Sequence, residues 1–192
     1  MFARRAPCSR ASAPLGWRDV TTRLRASRDY PHDVADFSVA LADPEFHRAR
    51  LDAGGGGEVE RHRTTGTPDD GTVEVVVRQP VPTGQVPPAI GRLLTGGLVL
   101  RRTERWRLRP QRCDGEVEVA VPLAPVRAEG TMSVAASGAS GCRLAVDVAV
   151  TVTIPLAGAL LEGTVADGVR QLTRVEHDNI TRWLDAHTDR ES

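Results

Sequence analysis

The stretch IPLAGALLEGTVADGVRQLTRVEHDNITRWLDAH, residues 154–187, decides how the rest of the chain is read. Turned at about 100° per residue, Leu161, Val165, Val169, Leu172 and Trp183 fall on one side, with Asp167, Arg170, Arg174, Asp178, Thr181 and Asp185 opposite. The spacing predicts one long amphipathic helix, with Pro155 at its first position, where a missing N–H costs nothing. Glu176 and Asn179 interrupt the apolar face, and polar residues there need a reason, because a dry core has no use for them.

Before this helix the period changes from 3.6 to two. Strands are predicted over 58–64, 72–81, 97–109, 115–122, 126–137 and 142–153, the last four separated by QRCDG, LAP and GASG, which are turn-like in length and composition. A Pro-rich crossing over 82–94, with a short turn of helix at 89–94, separates the second strand of this series from the third. Short connections imply an antiparallel meander. In the last strand Leu144, Val146, Val148, Val150, Val152 and Ile154 share a buried face. In the 126–137 strand the inward set is Val126, Ala128, Gly130, Met132 and Val134, whose small members leave room. In the 97–109 strand the apolar residues Leu98, Leu100, Trp106 and Leu108 are even-numbered, which puts Arg102 and Glu104 on the same inward face.

Toward the N-terminus, residues 19–27 alternate as a first strand, and 32–42 have helical spacing. Asp43 followed by Pro44 is the N-cap signature of a second short helix over 43–52. Gly54 to Gly57 reads as a flexible turn; a phosphate loop would need a lysine, a preceding strand and a following helix. The order is β-α-α-β6-α, an α+β fold in one domain over 19–188, with 1–18 as a disordered or mis-started extension and 189–192 as a tail.

Composition narrows the function. The 192 residues carry 25 acidic and 25 basic side chains, for zero formal charge, and only 4% aromatics, so the footprint of a nucleic-acid binder is missing. Every basic residue is arginine, which removes Schiff-base and Walker-type lysine chemistry. Cys8, Cys113 and Cys142 are odd in number and far apart, suggesting neither a disulfide framework nor a zinc site and fitting a reducing cytoplasm. His32, His47 and His62 lack a partner at ligand spacing, His177 lies beside the apolar face of the last helix, and no metal or other cofactor is expected. The longest uncharged stretch, 148–161, is 14 residues and holds Pro155 and Gly158, so no integral membrane segment is expected. No nucleophile has an identifiable base, and no catalytic residue is assigned.

This order resembles the START-like superfamily, the helix-grip fold also called SRPBCC. YPHDVADFSVALADPEFHRARL at 30–51 is similar to that superfamily's opening, where a Tyr-Pro pair leads into helix one and Asp-Pro-x-Phe into helix two. VPPAIGRLL at 86–94, the strand with Glu104, Arg105 and Trp106, and IPLAGALLEG at 154–163 look like a domain-of-unknown-function branch of it from high-GC bacteria. The resemblance covers residues 19–187 and implies a seven-stranded antiparallel sheet wrapped around the C-terminal helix with a cavity between them. It implies no catalytic residue.

The inward polar set, Arg102 and Glu104 from the sheet and Glu176 and Asn179 from the helix, reads either as a head-group site at one end of an apolar pocket or as a structural salt bridge. Trp106 and Trp183 lie inward and either stack on a ligand ring or fill the core. Met132 and Leu172 complete the candidate cavity lining. The reading that follows is noncatalytic binding of a hydrophobic small molecule, lipid or polyketide-like. Its rivals are an enzyme of the same fold, of cyclase or hydratase type, with Glu104 or Glu176 as acid/base, and an interaction module with a filled core.

Overall fold

The computed structural model describes residues 17–81, 98–122, 126–155 and 176–187. Strand β1 (Trp17–Tyr30) is followed by helices α1 (Val34–Ala42) and α2 (Pro44–Ala53). Strands β2 (Glu58–Thr67), β3 (Asp70–Val81), β4 (Leu98–Leu108), β5 (Arg112–Ala120), β6 (Val126–Ser137) and β7 (Gly141–Pro155) come next. Residues 176–187 form a helical segment, α3. The seven strands make one sheet in the order β1-β7-β6-β5-β4-β3-β2, and every neighbouring pair is antiparallel.

Local chemistry sets the entry to this sheet. Asp33 caps α1 by accepting from the Asp36 backbone N–H at 2.9 Å, while Asp36 accepts in return from Asp33 N–H at 3.2 Å. Asp43 caps α2 with a single bond, accepting from Glu45 N–H at 2.8 Å ahead of Pro44. Gly55, Gly56 and Gly57 then run at φ 104°, 93° and 143°, so the glycine run is a turn that side chains would strain.

Three expectations are corrected. Pro155 does not open a helix: it ends β7, opposite Trp17, because the ladder with β1 runs on past Thr153. The QRCDG stretch is mostly strand, since β5 begins at Arg112 and Cys113 is fully buried within it. His177 is not beside the buried face of α3 but in it: His177, Ile180 and Leu184 are buried, while Trp183 is only half-buried. The face has turned one step from the centre predicted by the upstream leucines and valines. Leu161, Val165, Val169 and Leu172, and the predicted turn at 89–94, lie outside the described residues.

The pairing aligns the inward side chains in rows across the concave face. One row reads Val77, Arg102, Val119, Ala128, Val150, Thr22; the next Val75, Glu104, Val117, Gly130, Val148, Leu24; the next Val73, Trp106, Gly115, Met132, Val146, Ala26. Beyond these, at the end nearest α1, Leu108, Cys113 and Val134 are fully buried. There Phe37, Leu41 and Phe46 from α1 and α2, with Ile180 and Leu184 from α3, complete the main core. In the Glu104 row the burial weakens along the sheet: Val75 and Val117 are buried, whereas Gly130, Val148 and Leu24 are only half-buried although they point inward.

Candidate functional site

The inward charges predicted on β4 meet a partner that sequence reasoning missed. Arg50, on α2, extends over the sheet and donates through Nη2 to Glu104 Oε1 at 3.0 Å and through Nη1 to Glu104 Oε2 at 3.3 Å. The same Nη2 donates to Glu176 Oε1 at 2.8 Å, and Arg102 Nη1 donates to that same oxygen at 2.5 Å. Arg102 Nε lies 3.1 Å from Glu104 Oε1, but it is not aimed for a hydrogen bond, and neither it nor the buried Arg50 Nε has such a partner among the described residues. Trp106 Nε1 donates to Glu104 Oε2 at 3.0 Å. Two guanidiniums and two carboxylates thus balance in charge. Glu104 is 1% exposed and Arg50 7%, while Glu176 keeps 34% of its side chain in contact with solvent.

The sequence holds a signal for Arg50. In PEFHRARLDA, Phe46, His47, Arg50 and Leu51 share one helical stripe, so an arginine stands among apolar residues four positions after Phe46. The guanidinium carbon lies 5.5 Å from the Phe46 ring centroid. Trp106 reaches its place because position 115, opposite it on β5, is glycine: a Cβ there would lie 2.7 Å from the indole.

The arginines fix the protonation of the cluster. Burial alone would push Glu104 up, but Arg50 and Arg102 outweigh it and hold this carboxyl far below the usual range. Burial also pushes Glu176 up, and Arg102 and then Arg50 bring it down to about 2. Burial opposes the charge on Arg50, yet Glu104 and Glu176 raise its pKa further above the ordinary arginine value. Both carboxylates are therefore firmly ionised, the opposite of what an acid/base catalyst near neutrality needs. His47, behind Arg50, is lowered to about 4 by burial and by the Arg50 charge, and its Nε2–H donates to Leu41 O at 2.9 Å.

The remaining predicted residues scatter. Asn179 is buried but stays outside the cluster; its Oδ1 accepts from Arg182, and its Nδ2 makes no hydrogen bond among the described residues. Trp106 belongs to the main core, and Met132 and Trp183 pack against it, with the Trp183 ring 5.8 Å from Phe46 and stacked 3.9 Å from His187. Leu172 lies outside the described residues. A second buried pair, also unforeseen, joins β1 to α3: Tyr30 Oη and His177 Nδ1 are 2.5 Å apart. Burial raises the Tyr30 pKa and lowers that of His177, so the phenol donates to a neutral imidazole. Arg28 to Asp178 at 2.7 Å and His32 to Asp185 at 2.8 Å continue this seam. Among the described residues no group of three His, Cys, Asp or Glu side chains is placed to hold a metal ion. No described helix is long and apolar enough to cross a membrane.

An open antiparallel sheet of seven strands in which the first pairs with the last, with a C-terminal helix packed against one face, defines an α+β protein of the helix-grip class. The chain belongs to the family described as "Protein of unknown function (DUF2505)", which matches residues 25–184. An uncharacterized protein of Mycobacterium tuberculosis strain H37Rv is 30% identical over 166 residues, covering 82% of this chain and 94% of its own. An uncharacterized protein of Mycobacterium bovis matches equally well. Among solved structures, a conserved protein from Geobacillus kaustophilus aligns with TM-score 0.57 at 11% identity, over 86% of this chain and 96% of its own. A protein of Thermus thermophilus aligns with TM-score 0.55 at 18% identity, over 86% and 98%. At such identities the likeness extends to the fold.

Proposed function

We propose that this protein is a START-like, noncatalytic binder or carrier of a hydrophobic small molecule, lipid or polyketide-like, held against the concave face of the sheet beneath the C-terminal helix. The observation that carries the reading is the loss of burial along the Glu104 row. Gly130, Val148 and Leu24 point inward and apolar yet remain half-buried, next to a buried and fully ionised Arg–Glu cluster. An apolar surface with a few fixed polar groups at its margin is the common construction of a small-molecule site. The filled end of the sheet, around Trp106 and Leu108, confines such a ligand to the rows of Arg102 and Glu104. Buried free Cys113 and Cys142 suit a reducing cytoplasm, which is part of the proposal.

Pairing of Glu104 and Glu176 to arginines weighs against their use as an acid/base couple in a cyclase or hydratase. The packing of Trp106, Met132 and Trp183 at the core supports a second reading, an interaction module without a ligand. Native mass spectrometry of the purified protein against lipid and aromatic libraries separates the two. A retained or added apolar molecule of stoichiometric mass, with a raised Tm, supports the carrier. Failure of every apolar compound, acidic or neutral, to bind favours the interaction module.

A further inference from the structure

Within the Arg–Glu cluster the two carboxylates are not equivalent. Glu104 receives both Nη groups of Arg50 and the indole N–H of Trp106, and it is 1% exposed on a central strand. Glu176 is reached by both arginines at one oxygen, Oε1, and a third of its side chain faces water. The hold of α3 on the sheet is made by other residues, His177, Asp178, Ile180 and Leu184. Rotation of the Glu176 side chain into solvent therefore leaves those anchors intact.

We infer that Glu176 occupies the seat of the ligand's own anionic group: the molecule bound here carries a carboxylate, which exchanges with Glu176 on Arg50 and Arg102. This rests on the carrier reading above and specifies the ligand's chemistry. Arg50, Arg102 and Glu104 sum to one positive charge once Glu176 leaves. A buried, unbalanced charge is strongly unfavourable, so the seat must be filled by a monoanion, either tethered or bound. Two guanidiniums converging on one oxygen are the donor arrangement that a carboxylate takes up with good geometry. The buried Nε–H groups of Arg50 and Arg102 have no hydrogen-bond partner among the described residues, so neither guanidinium has all its donors satisfied by Glu104 and Glu176. The apolar remainder of the ligand has the half-buried positions of β6, β7 and β1 on the same concave face, in the rows that Arg102 and Glu104 belong to.

The test compares two acids with their methyl esters, laurate with methyl laurate and 2-naphthoate with methyl 2-naphthoate, by calorimetric titration of wild type, Glu176→Gln and Arg102→Gln. Wild type should bind at least one acid about tenfold or more tightly than its ester. Glu176→Gln, which removes the tethered competitor, should bind that acid about tenfold more tightly again and the ester unchanged. This variant should also melt below wild type and be restored by the acid and not by the ester. Arg102→Gln should lose the preference for the acid. If that variant does not fold, the carbonyl-13C resonance of labelled laurate decides in its place: bound to Glu176→Gln it should keep its carboxylate position at pH values where free laurate is protonated, and titration as in free laurate would overturn the inference. Acid and ester binding alike in wild type and Glu176→Gln would overturn the inference while leaving the carrier reading intact. An acid preference unchanged in Glu176→Gln would overturn it too, because the anion would sit elsewhere. Absence of binding by all four probes, with the library also silent, removes the carrier reading itself.

Discussion

Strand β4 carries arginine–carboxylate pairs on both of its faces, and the two sets behave differently. On the outer face Arg101 meets Glu60 at 2.9 Å, and Arg105 meets Glu118 at 3.0 Å and Glu74 at 3.5 Å. On the inner face, one residue away in sequence, Arg102 and Glu104 join the buried Arg50 and the half-buried Glu176. The residue types and distances are the same. The environment is not: water and salt screen the outer pairs, whereas each inner charge depends on its partners. The outer set keeps a Lys-free surface charge-balanced, and the inner set imposes one geometry on α2, β4 and α3 together.

Arg50→Ala is the sharpest way to break this contrast. It leaves Glu104 buried beside a weakened set of partners and should cost about 3–5 kcal/mol in urea unfolding. Replacing both by apolar residues, Arg50→Met with Glu104→Leu, leaves the Arg102–Glu176 pair neutral and should cost much less than the sum of the single changes. Additive losses would mean that the cluster is not one unit. Trp106→Phe removes the indole donor to the Glu104 carboxylate and should cost about 1.5–3 kcal/mol, seen as a lower midpoint with unchanged m-value.

Acid unfolding separates the groups by pH. His47 and His177 have folded pKa values below the ordinary 6.5, so the unfolded chain binds more protons there, and stability falls as pH drops below 6.5, for His47 down to about 4. Glu176 lies below its ordinary 4.5, at about 2, so its contribution is present above pH 4.5 and is lost as pH falls through 2. The Tm of Glu176→Gln should therefore lie below wild type at neutral pH and converge with it between pH 4.5 and 2; parallel curves would remove the assigned coupling. Least affected should be Glu74→Gln on the outer face, at about 0–1 kcal/mol and smaller still in high salt.

Much of the fold was legible because period-two alternation is set by the pleat and survives in any sheet with one wet face. Val73, Val75 and Val77, and the even-numbered face of β4, fall where the alternation puts them. The capping aspartates Asp33 and Asp43 are local chemistry, although α1 begins two residues later than the spacing suggested. The site was legible by half. Arg102 and Glu104 broke an apolar face, as did Glu176, and breaks of that kind are visible in a sequence. Arg50 was hidden because its carboxylate partners, Glu104 and Glu176, lie 54 and 126 residues further along the chain. His177 was misjudged because the helix face was centred on residues upstream of the described segment.

The amino-acid order by itself determined the strands, the short capped helices, the inward position of the two β4 charges and the absence of lysine chemistry, all of which follow from spacing or residue type. Only the tertiary structure decided that β1 joins the sheet beside β7, that Arg50 crosses from α2 to Glu104 and Glu176, and that Tyr30 meets His177. Those partners are separated by 54 residues or more along the chain, and no local preference encodes a meeting that depends on how the whole sheet curls beneath the helices.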